Sequence, residues 1–155
     1  HNLSQEGDCW VFDNAIIYGN AEVFEDAEVY DNAIIYGNAR VFEDAQIYDN
    51  AMIEGDAQIY DNARVFGNAE VSGCAEIYGN AQATKKVITF GDIFCYDITI
   101  TDKHIKIGCE QHLKSEWKNF SDKEILKMEG KKALKFWELF RPFAEINGFF
   151  SKCFK

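Results

Sequence analysis

The stretch DNAIIYGNAEVFEDAEVY at positions 13–30 is followed at once by DNAIIYGNARVFEDAQIY at positions 31–48. These two blocks of eighteen residues differ at only three places. A finer period of six runs through both, because alanine recurs at every sixth position from Ala15 to Ala81, twelve times without a gap. Self-similarity at a fixed period predicts a solenoid, in which each repeat stacks on the next.

The six-residue period also predicts which side chains face inward. Two positions after each alanine the sequence has Ile or Val, from Ile17 to Ile77, except after Ala81, where the smaller Ala83 takes this position. Alternate side chains of a strand point to opposite faces, so the alanine and the aliphatic residue share the inner face. Two polar or glycine residues then make each turn, where Asn, Asp and Gly tolerate the left-handed backbone of a sharp corner. Three such sides close a triangular coil of eighteen residues.

The repeat over positions 9–86 resembles the hexapeptide-repeat family. The resemblance implies a mainly β fold, a left-handed parallel β-helix of about four coils, and implies no particular activity because that fold hosts many functions. A pentapeptide-repeat solenoid would need a period of five, which the alanines break at every step.

The net charge of −10 is divided unevenly along the chain. Residues 1–84 contain sixteen acidic and two basic residues, whereas residues 85–155 contain ten acidic and fourteen basic ones. A change of sign between two halves is typical of a boundary, here near Thr84–Lys86. We therefore expect a β-helix over 9–86 and a separate C-terminal tail over 87–155.

Acidic columns run along the outside of the predicted coils, and they include Asp31, Asp49, Glu43 and Asp44. Acids exceed bases by twelve between positions 9 and 84. Four coils at about 4.8 Å each span roughly 20 Å, which gives about one net charge per 1.7 Å, as in duplex DNA. The coils are therefore predicted not to bind nucleic acid directly, and these four acids are predicted to contact a protein partner with a basic surface. Acidic corners that only keep the rod soluble are the alternative.

One side of the predicted coils is apolar on its outer surface. Its outward side chains are Ile16, Tyr18, Ile34, Tyr36 and Met52. An apolar stripe of this size is expected to be covered by the tail, by a sister subunit of a homodimer or homotrimer, or by a partner protein. Two further columns are aromatic, and they either shield the backbone or anchor a partner: Phe12, Tyr30, Tyr48 and Phe66, and Phe24, Phe42, Tyr60 and Tyr78.

The resemblance also implies a test for enzymatic activity. Hexapeptide acyltransferases carry a histidine base and a cleft between trimer subunits, and the carbonic-anhydrase branch binds zinc through three coil histidines. Positions 9–86 contain no histidine and no long insertion. Without a positioned base or metal, general acid–base chemistry has no agent. The chain is therefore predicted to be no enzyme and to bind no cofactor, with an acyltransferase as the third hypothesis after binding and scaffolding.

The tail alternates apolar residues at Ile98, Ile100, Ile105 and Ile107, which predicts a β-hairpin with a turn at 102–103. Cys109 and His112 lie three positions apart at its end, with His104 and Cys95 nearby in sequence. They are weak candidates for a metal site, because a second ligand pair is missing and free cysteine is commonly buried.

A helix is predicted to follow the hairpin. Ser121 and Glu124 have capping-box spacing before a helical run to about Arg141, and Pro142 is expected to kink or end it. Its apolar face is expected to pack on the coils or on other copies in an oligomer, and its lysines to balance the acidic rod: Ala133, Leu134, Trp137, Phe140 and Phe143, and Lys123, Lys127, Lys131, Lys132 and Lys135.

The coils with this tail are similar to uncharacterised hexapeptide-repeat proteins of phages and prophages, which implies a mobile-element setting. Five cysteines at irregular spacing favour a reducing, cytoplasmic compartment, and no apolar run predicts a membrane span. The sequence thus favours a non-catalytic acidic protein-binding module, in its sharpest form a phage-encoded inhibitor of a host defence nuclease. The alternative is a structural homo-oligomeric scaffold.

Overall fold

The computed structural model describes residues 3, 7–90 and 96–151 of the 155-residue chain. Within them, two-residue strands from Trp10 to Ala83 form a parallel β-solenoid of about four coils, which confirms the predicted architecture. No helix in these residues is long and apolar enough to cross a membrane.

The solenoid has three faces, each a parallel sheet of two-residue strands. The first face contains β1 (Trp10–Val11), β4 (Glu28–Val29), β7 (Gln46–Ile47), β10 (Arg64–Val65) and β13 (Gln82–Ala83). The second face contains β2 (Ile16–Ile17), β5 (Ile34–Ile35), β8 (Met52–Ile53) and β11 (Glu70–Val71). The third face contains β3 (Glu22–Val23), β6 (Arg40–Val41), β9 (Gln58–Ile59) and β12 (Glu76–Ile77).

Strand register places each residue over the residue eighteen positions away, as in the pairs Ile17–Ile35 and Ile35–Ile53. The inward alanines and aliphatic residues from Ala21 to Ala83 are at most 1% exposed and form one continuous core. Because only Ala, Val and Ile occupy these columns, the narrow interior is filled without polar atoms.

Each face ends at a two-residue corner whose first residue has a positive φ. Corner A joins the first face to the second, and corner C joins the third to the first. Acidic residues adopt the left-handed conformation there, for example Asp31 at φ 58° and Glu43 at φ 57°. Corner B, between the second and third faces, has glycine in this position in every coil. At Gly37, an added Cβ would lie 2.9 Å from the backbone nitrogen of Gly55.

The tail contains a four-stranded antiparallel sheet, and the predicted hairpin is its central pair. The strands pair in chain order: β14 (Ile88–Phe90), β15 (Ile98–Ile100), β16 (His104–Ile107) and β17 (Glu110–Leu113). The outer two strands were not predicted, because the three residues ITF are too few to establish an alternation and EQHL shows none.

Two helices follow, α1 (Lys114–Asn119) and α2 (Asp122–Ile146). The predicted capping box is confirmed, since the Ser121 side chain accepts from the Glu124 amide. Of the two effects expected at Pro142, a kink or an end of the helix, the end is wrong, because α2 continues to Ile146. The break lies instead at Glu129 and Gly130, where Gly130 adopts φ 68° and ψ −147°, a region open essentially to glycine alone.

The apolar face of α2 packs on the tail's own sheet and not on the coils, which corrects the expectation above. Trp137 and Phe140 are buried, and Leu134 and Phe143 are partly buried against the same cluster. The sheet side of this core consists of isoleucines: Ile98, Ile100, Ile105 and Ile107.

The tail closes the C-terminal end of the solenoid. Lys106 Nζ lies 2.6 Å from Glu76 Oε2, and the Gln111 side-chain amide donates to the Tyr78 carbonyl at 2.9 Å. The Thr84 amide donates to Asp102 Oδ2 at 2.8 Å. The last coil, which has no further coil above it, therefore finds its polar partners in the tail.

We expect Gly37→Ala to destabilise the protein more than Gly73→Ala, at the same corner. Both glycines have positive φ (77° and 67°), so both substitutions carry the left-handed penalty of about 1–2 kcal/mol. Only the Gly37 methyl group meets backbone at 2.9 Å, whereas the nearest atom at Gly73 is Thr89 Oγ1 at 3.4 Å. Urea unfolding should show an extra loss of roughly 1–3 kcal/mol for Gly37→Ala. Equal losses would contradict tight coil stacking at corner B.

Candidate protein-binding surfaces of the solenoid

Acidic residues gather on the two corners that border the first face. Nine of the fifteen acids between residues 7 and 84 lie there, whereas corner B carries only Asp56. Corner A contributes Asp13, Asp31 and Asp49, and corner C contributes Asp8, Glu25, Asp26, Glu43, Asp44 and Asp61. The four acids predicted to bind a partner, Asp31, Asp49, Glu43 and Asp44, therefore border a single face. We call this face, with corners A and C, the acidic surface.

The corner acids also have a structural role that the sequence analysis missed. The Asp49 amide donates to Asp31 Oδ2 at 3.2 Å, and the Gly67 amide to Asp49 Oδ2 at 2.9 Å. On corner C, the Asp61 amide donates to Glu43 Oε2 at 2.8 Å. Each carboxylate thus satisfies a backbone N–H of the next coil. An acidic side chain recurring at the same turn position every eighteen residues was the signal for this ladder.

Stacking acid over acid costs free energy where the charges are close. The backbone N–H of Asp61 lowers the pKa of Glu43, but the side-chain contact with Asp61, partial desolvation, and the charges of Asp61 and Glu25 together outweigh it. The pKa of Glu43 is therefore raised from 4.5. Ionised Glu43 is less stable in the fold than its backbone contact alone would suggest.

Aromatic rings stack along the same face. Phe12, Tyr30, Tyr48 and Phe66 lie 4.9–5.0 Å apart between ring centroids, with interplanar angles of 2–7°. The Arg64 guanidinium donates to the Tyr48 hydroxyl at 2.7 Å. These contacts stabilise the ladder itself, while Phe12 stays exposed and the other three rings remain partly accessible.

The apolar stripe predicted on one side lies on the second face. Ile16, Tyr18 and Met52 are 53%, 49% and 39% exposed, and Ile34 and Tyr36 are half-buried. The Tyr36 hydroxyl hydrogen-bonds Glu54, which raises the pKa of Tyr36 to about 12.

The described residues of the tail are not seated on this stripe. Their polar contacts to the coils reach the last coil, such as the ion pair of Lys106 with Glu76 and the hydrogen bond from the Gln111 side chain to the Tyr78 carbonyl. Of the three coverings expected from the sequence, a sister subunit and a partner protein therefore stay predictions for the first three coils. We call Ile16, Tyr18, Ile34, Tyr36 and Met52 the apolar stripe.

The helix lysines do not balance the rod as expected. All five are exposed, and among the described ion pairs Lys132 is bonded to Glu129 of its own helix at 4.0 Å. Among the described ion pairs, the one that joins tail to coil comes from Lys106 in the sheet, which contacts Glu76. Helical amphipathicity placed these lysines on the surface correctly but could not say which surface they meet.

The weak metal candidates lie on the tail sheet. Cys109 is exposed and is a free thiol, while His112 contacts Glu110 Oε2 at 3.3 Å and packs its ring against Trp117 and Phe120. The described residues contain no group of three or more His, Cys, Asp or Glu that could hold a metal ion. Cys95 and Cys153 lie outside those residues.

Comparison with known proteins supports the repeat and little else. A family model described as YdcK beta solenoid repeat matches residues 45–57 and 57–73. No curated protein and no solved structure matches the chain. The chain is therefore similar to β-solenoid repeat proteins over part of its coils.

We expect Glu43→Gln to raise the thermal unfolding temperature at pH 7. The amide oxygen can still accept from the Asp61 backbone, while the repelling charge is removed. The pKa of Glu43 is raised above 4.5 in the folded protein, so the fold favours the protonated carboxyl group. The stability that this preference contributes is fully present below pH 4.5 and is lost as the pH rises through the pKa of Glu43 in the folded protein. The advantage of Glu43→Gln over wild type should accordingly vanish on acidification below pH 4.5.

Glu124→Gln is a control of opposite sign. The Ser121 hydroxyl and backbone amide lower the pKa of Glu124, so its charge stabilises the start of α2 above pH 4.5. Glu124→Gln should therefore lower the unfolding temperature at pH 7, as measured by circular dichroism. A loss of stability in Glu43→Gln at pH 7 would contradict the repulsion described for corner C.

Proposed function

We propose that this protein is a non-catalytic binding module whose acidic surface occupies a basic groove of another protein. The observation that carries the proposal is the gathering of nine coil acids on the two corners of one face. Corners A and C carry two parallel lines of carboxylates, and both lines can face the same partner. About six residues separate the two corners along the chain, so the lines are at most about 20 Å apart at a rise of about 3.3 Å per residue. Such a surface attracts Lys and Arg side chains over a distance of about a Debye length.

The electrostatics of the acidic surface favour a basic partner beyond simple attraction. In the free protein, the Asp61 backbone N–H lowers the pKa of Glu43, but the side-chain contact with Asp61, desolvation and the charges of Asp61 and Glu25 together raise it. Lysine or arginine side chains brought against corner C would offset the repulsion from Asp61 and Glu25, which adds to the free energy of binding. The partly exposed rings of Tyr30, Tyr48 and Phe66 supply aromatic surface of the kind that anchors protein interfaces.

A groove that binds nucleic acid is the basic groove that such a surface fits best. Its cations are arranged for a dense line of negative charge, which the coils reproduce through carboxylates. In its narrower form, the proposal makes the protein a phage-encoded inhibitor of a host defence nuclease, in line with the resemblance to phage and prophage repeat proteins. The partner is then inhibited by exclusion of its nucleic acid and not by any reaction.

The test of this proposal compares two triple variants that change the net charge equally. Asp31→Asn/Glu43→Gln/Asp49→Asn removes three charges from the acidic surface and keeps an oxygen acceptor for each bonded backbone amide. Glu22→Gln/Asp56→Asn/Glu70→Gln removes three charges elsewhere on the coils. Immobilised wild type and both variants are exposed to bacterial lysate, and retained proteins are identified after elution at about 0.5 M salt.

We expect a nucleic-acid-binding protein to be retained by wild type and by the second variant, with at least tenfold weaker retention by the first. The purified partner should lose binding of a labelled duplex when wild-type protein is added. Equal retention by both variants, or a retained protein whose duplex binding is unaffected, would rule out the groove-blocking function.

The apolar stripe favours a second candidate function, a homo-oligomeric scaffold. In the first three coils, the outward positions of the second face include one acid, Glu54, which accepts a hydrogen bond from the Tyr36 hydroxyl. Copies with a net charge of −10 repel each other, so a second copy can approach with least repulsion along this face. Burial of Ile16, Tyr18 and Met52 between copies would supply the driving force.

Ile34→Glu should abolish self-association if the stripe is the interface. Gln58→Glu adds the same charge to the third face and should leave it intact. Sedimentation equilibrium of the full chain at about 10–100 μM provides the measurement, over a range in which a moderately stable dimer dissociates. A monomeric wild type over this range would exclude the scaffold and leave the stripe for a different protein.

A further inference from the structure

The tail contains a cavity that the binding proposal for the coils does not use. It lies between the sheet and the helices, has a volume of about 40 Å³, and reaches the surface at Cys109 and Glu129, which are exposed. One water needs roughly 10–15 Å³, so the cavity encloses about as much of a ligand as three waters would fill, and the rest of a small ligand would lie at the open mouth.

Aromatic rings and carboxylates dominate the chemistry of this cavity. Tyr96 and Phe136 meet at 4.9 Å with an interplanar angle of 72°, and Trp117 lies 5.4 Å from Trp137. These four rings line the cavity together with apolar side chains of the sheet and α2. Its only charged lining residues, in the described part of the chain, are Glu110 and Glu129. Aromatic faces combined with negative charge are the surroundings that organic cations prefer.

The mouth of the cavity already holds one ammonium group, which belongs to the protein. Lys132 Nζ lies 4.7 Å from the centroid of the Tyr96 ring and 4.0 Å from Glu129 Oε2. The Tyr96 hydroxyl in turn hydrogen-bonds Glu129. The rim therefore provides both a ring face and a carboxylate at the distances at which a cation is stabilised.

A buried donor in the cavity wall indicates a second group on the ligand. Trp137 lines the cavity and is 2% exposed, and its indole N–H has no acceptor among the described residues. The other buried indole, Trp117, donates to the Ile105 carbonyl at 2.7 Å. A buried N–H without an acceptor destabilises the fold, so a ligand oxygen that accepts from Trp137 would remove this cost.

We propose that the tail cavity binds a small organic ammonium compound that carries an oxygen acceptor, of the choline type. The rings and the carboxylates of Glu110 and Glu129 hold the cationic head, and the oxygen accepts from Trp137. The site lies wholly in the tail and does not depend on the acidic surface or the apolar stripe. Ligand binding here would couple a small molecule to the domain that caps the coils.

Tryptophan fluorescence of the full chain tests the site with a built-in reporter. The chain has three tryptophans, and Trp10→Phe leaves only Trp117 and Trp137, both of which line the cavity. The probes are choline, tetramethylammonium and 3,3-dimethylbutan-1-ol. Tetramethylammonium lacks the oxygen of choline, and 3,3-dimethylbutan-1-ol has the shape of choline without its charge.

We expect choline to give a saturable change, the neutral alcohol to bind at least tenfold more weakly, and tetramethylammonium to bind several-fold more weakly. Glu110→Gln and Glu129→Gln should each weaken choline binding by about tenfold, whereas Glu138→Gln, on the exposed side of α2, should not. Thermal unfolding of each variant confirms that it is folded. Equal binding of choline and the neutral alcohol, or no saturation at about 10 mM choline, would overturn the proposal.

Discussion

Stacking of each residue over the residue eighteen positions earlier, at a rise near 5 Å, is the constraint on which the rest of the structure depends. The aromatic ladders measure that rise directly, with ring centroids 4.9–5.1 Å apart. At this distance each side chain contacts the side chain eighteen positions away, so the residues of one column must pack against each other. Aliphatic residues, flat rings and Asn side chains satisfy the condition readily, as in the Asn14–Asn32 and Asn20–Asn38 hydrogen bonds. Acidic residues satisfy it only because the backbone of the next coil donates to them.

That exception connects the fold to the proposed function. A carboxylate column at a corner is stabilised by one backbone N–H per coil and destabilised by its neighbours, as the raised pKa of Glu43 shows. An asparagine column would keep the hydrogen bonds without the repulsion. The presence of acid at two neighbouring corners therefore fits a surface selected for its charge, and solubility alone would not require nine of fifteen acids around one face.

The tail shows how an aperiodic segment completes a periodic one. A solenoid has no internal means of satisfying its last coil, and repeat arrays depend on a distinct capping element for this reason. Here Asp102, Lys106 and Gln111 contact that coil through side chains. The same sheet packs its isoleucines against α2 on its own account, so the tail has an independent core with a cavity inside it.

The sequence by itself determined the coil, because a fixed period repeats the same local conformation and the same inward side chains in every turn. It also located the capping box of α2 and the central hairpin of the tail, both of which are encoded over a few neighbouring residues. The break of α2 at Gly130 has a local signal in the glycine itself, although the sequence does not show that the helix breaks there and continues through Pro142. Only the tertiary structure decided that α2 packs on its own sheet and that the tail contacts the last coil. Those outcomes depend on contacts between segments far apart in the chain, for which no period or local spacing provides a signal.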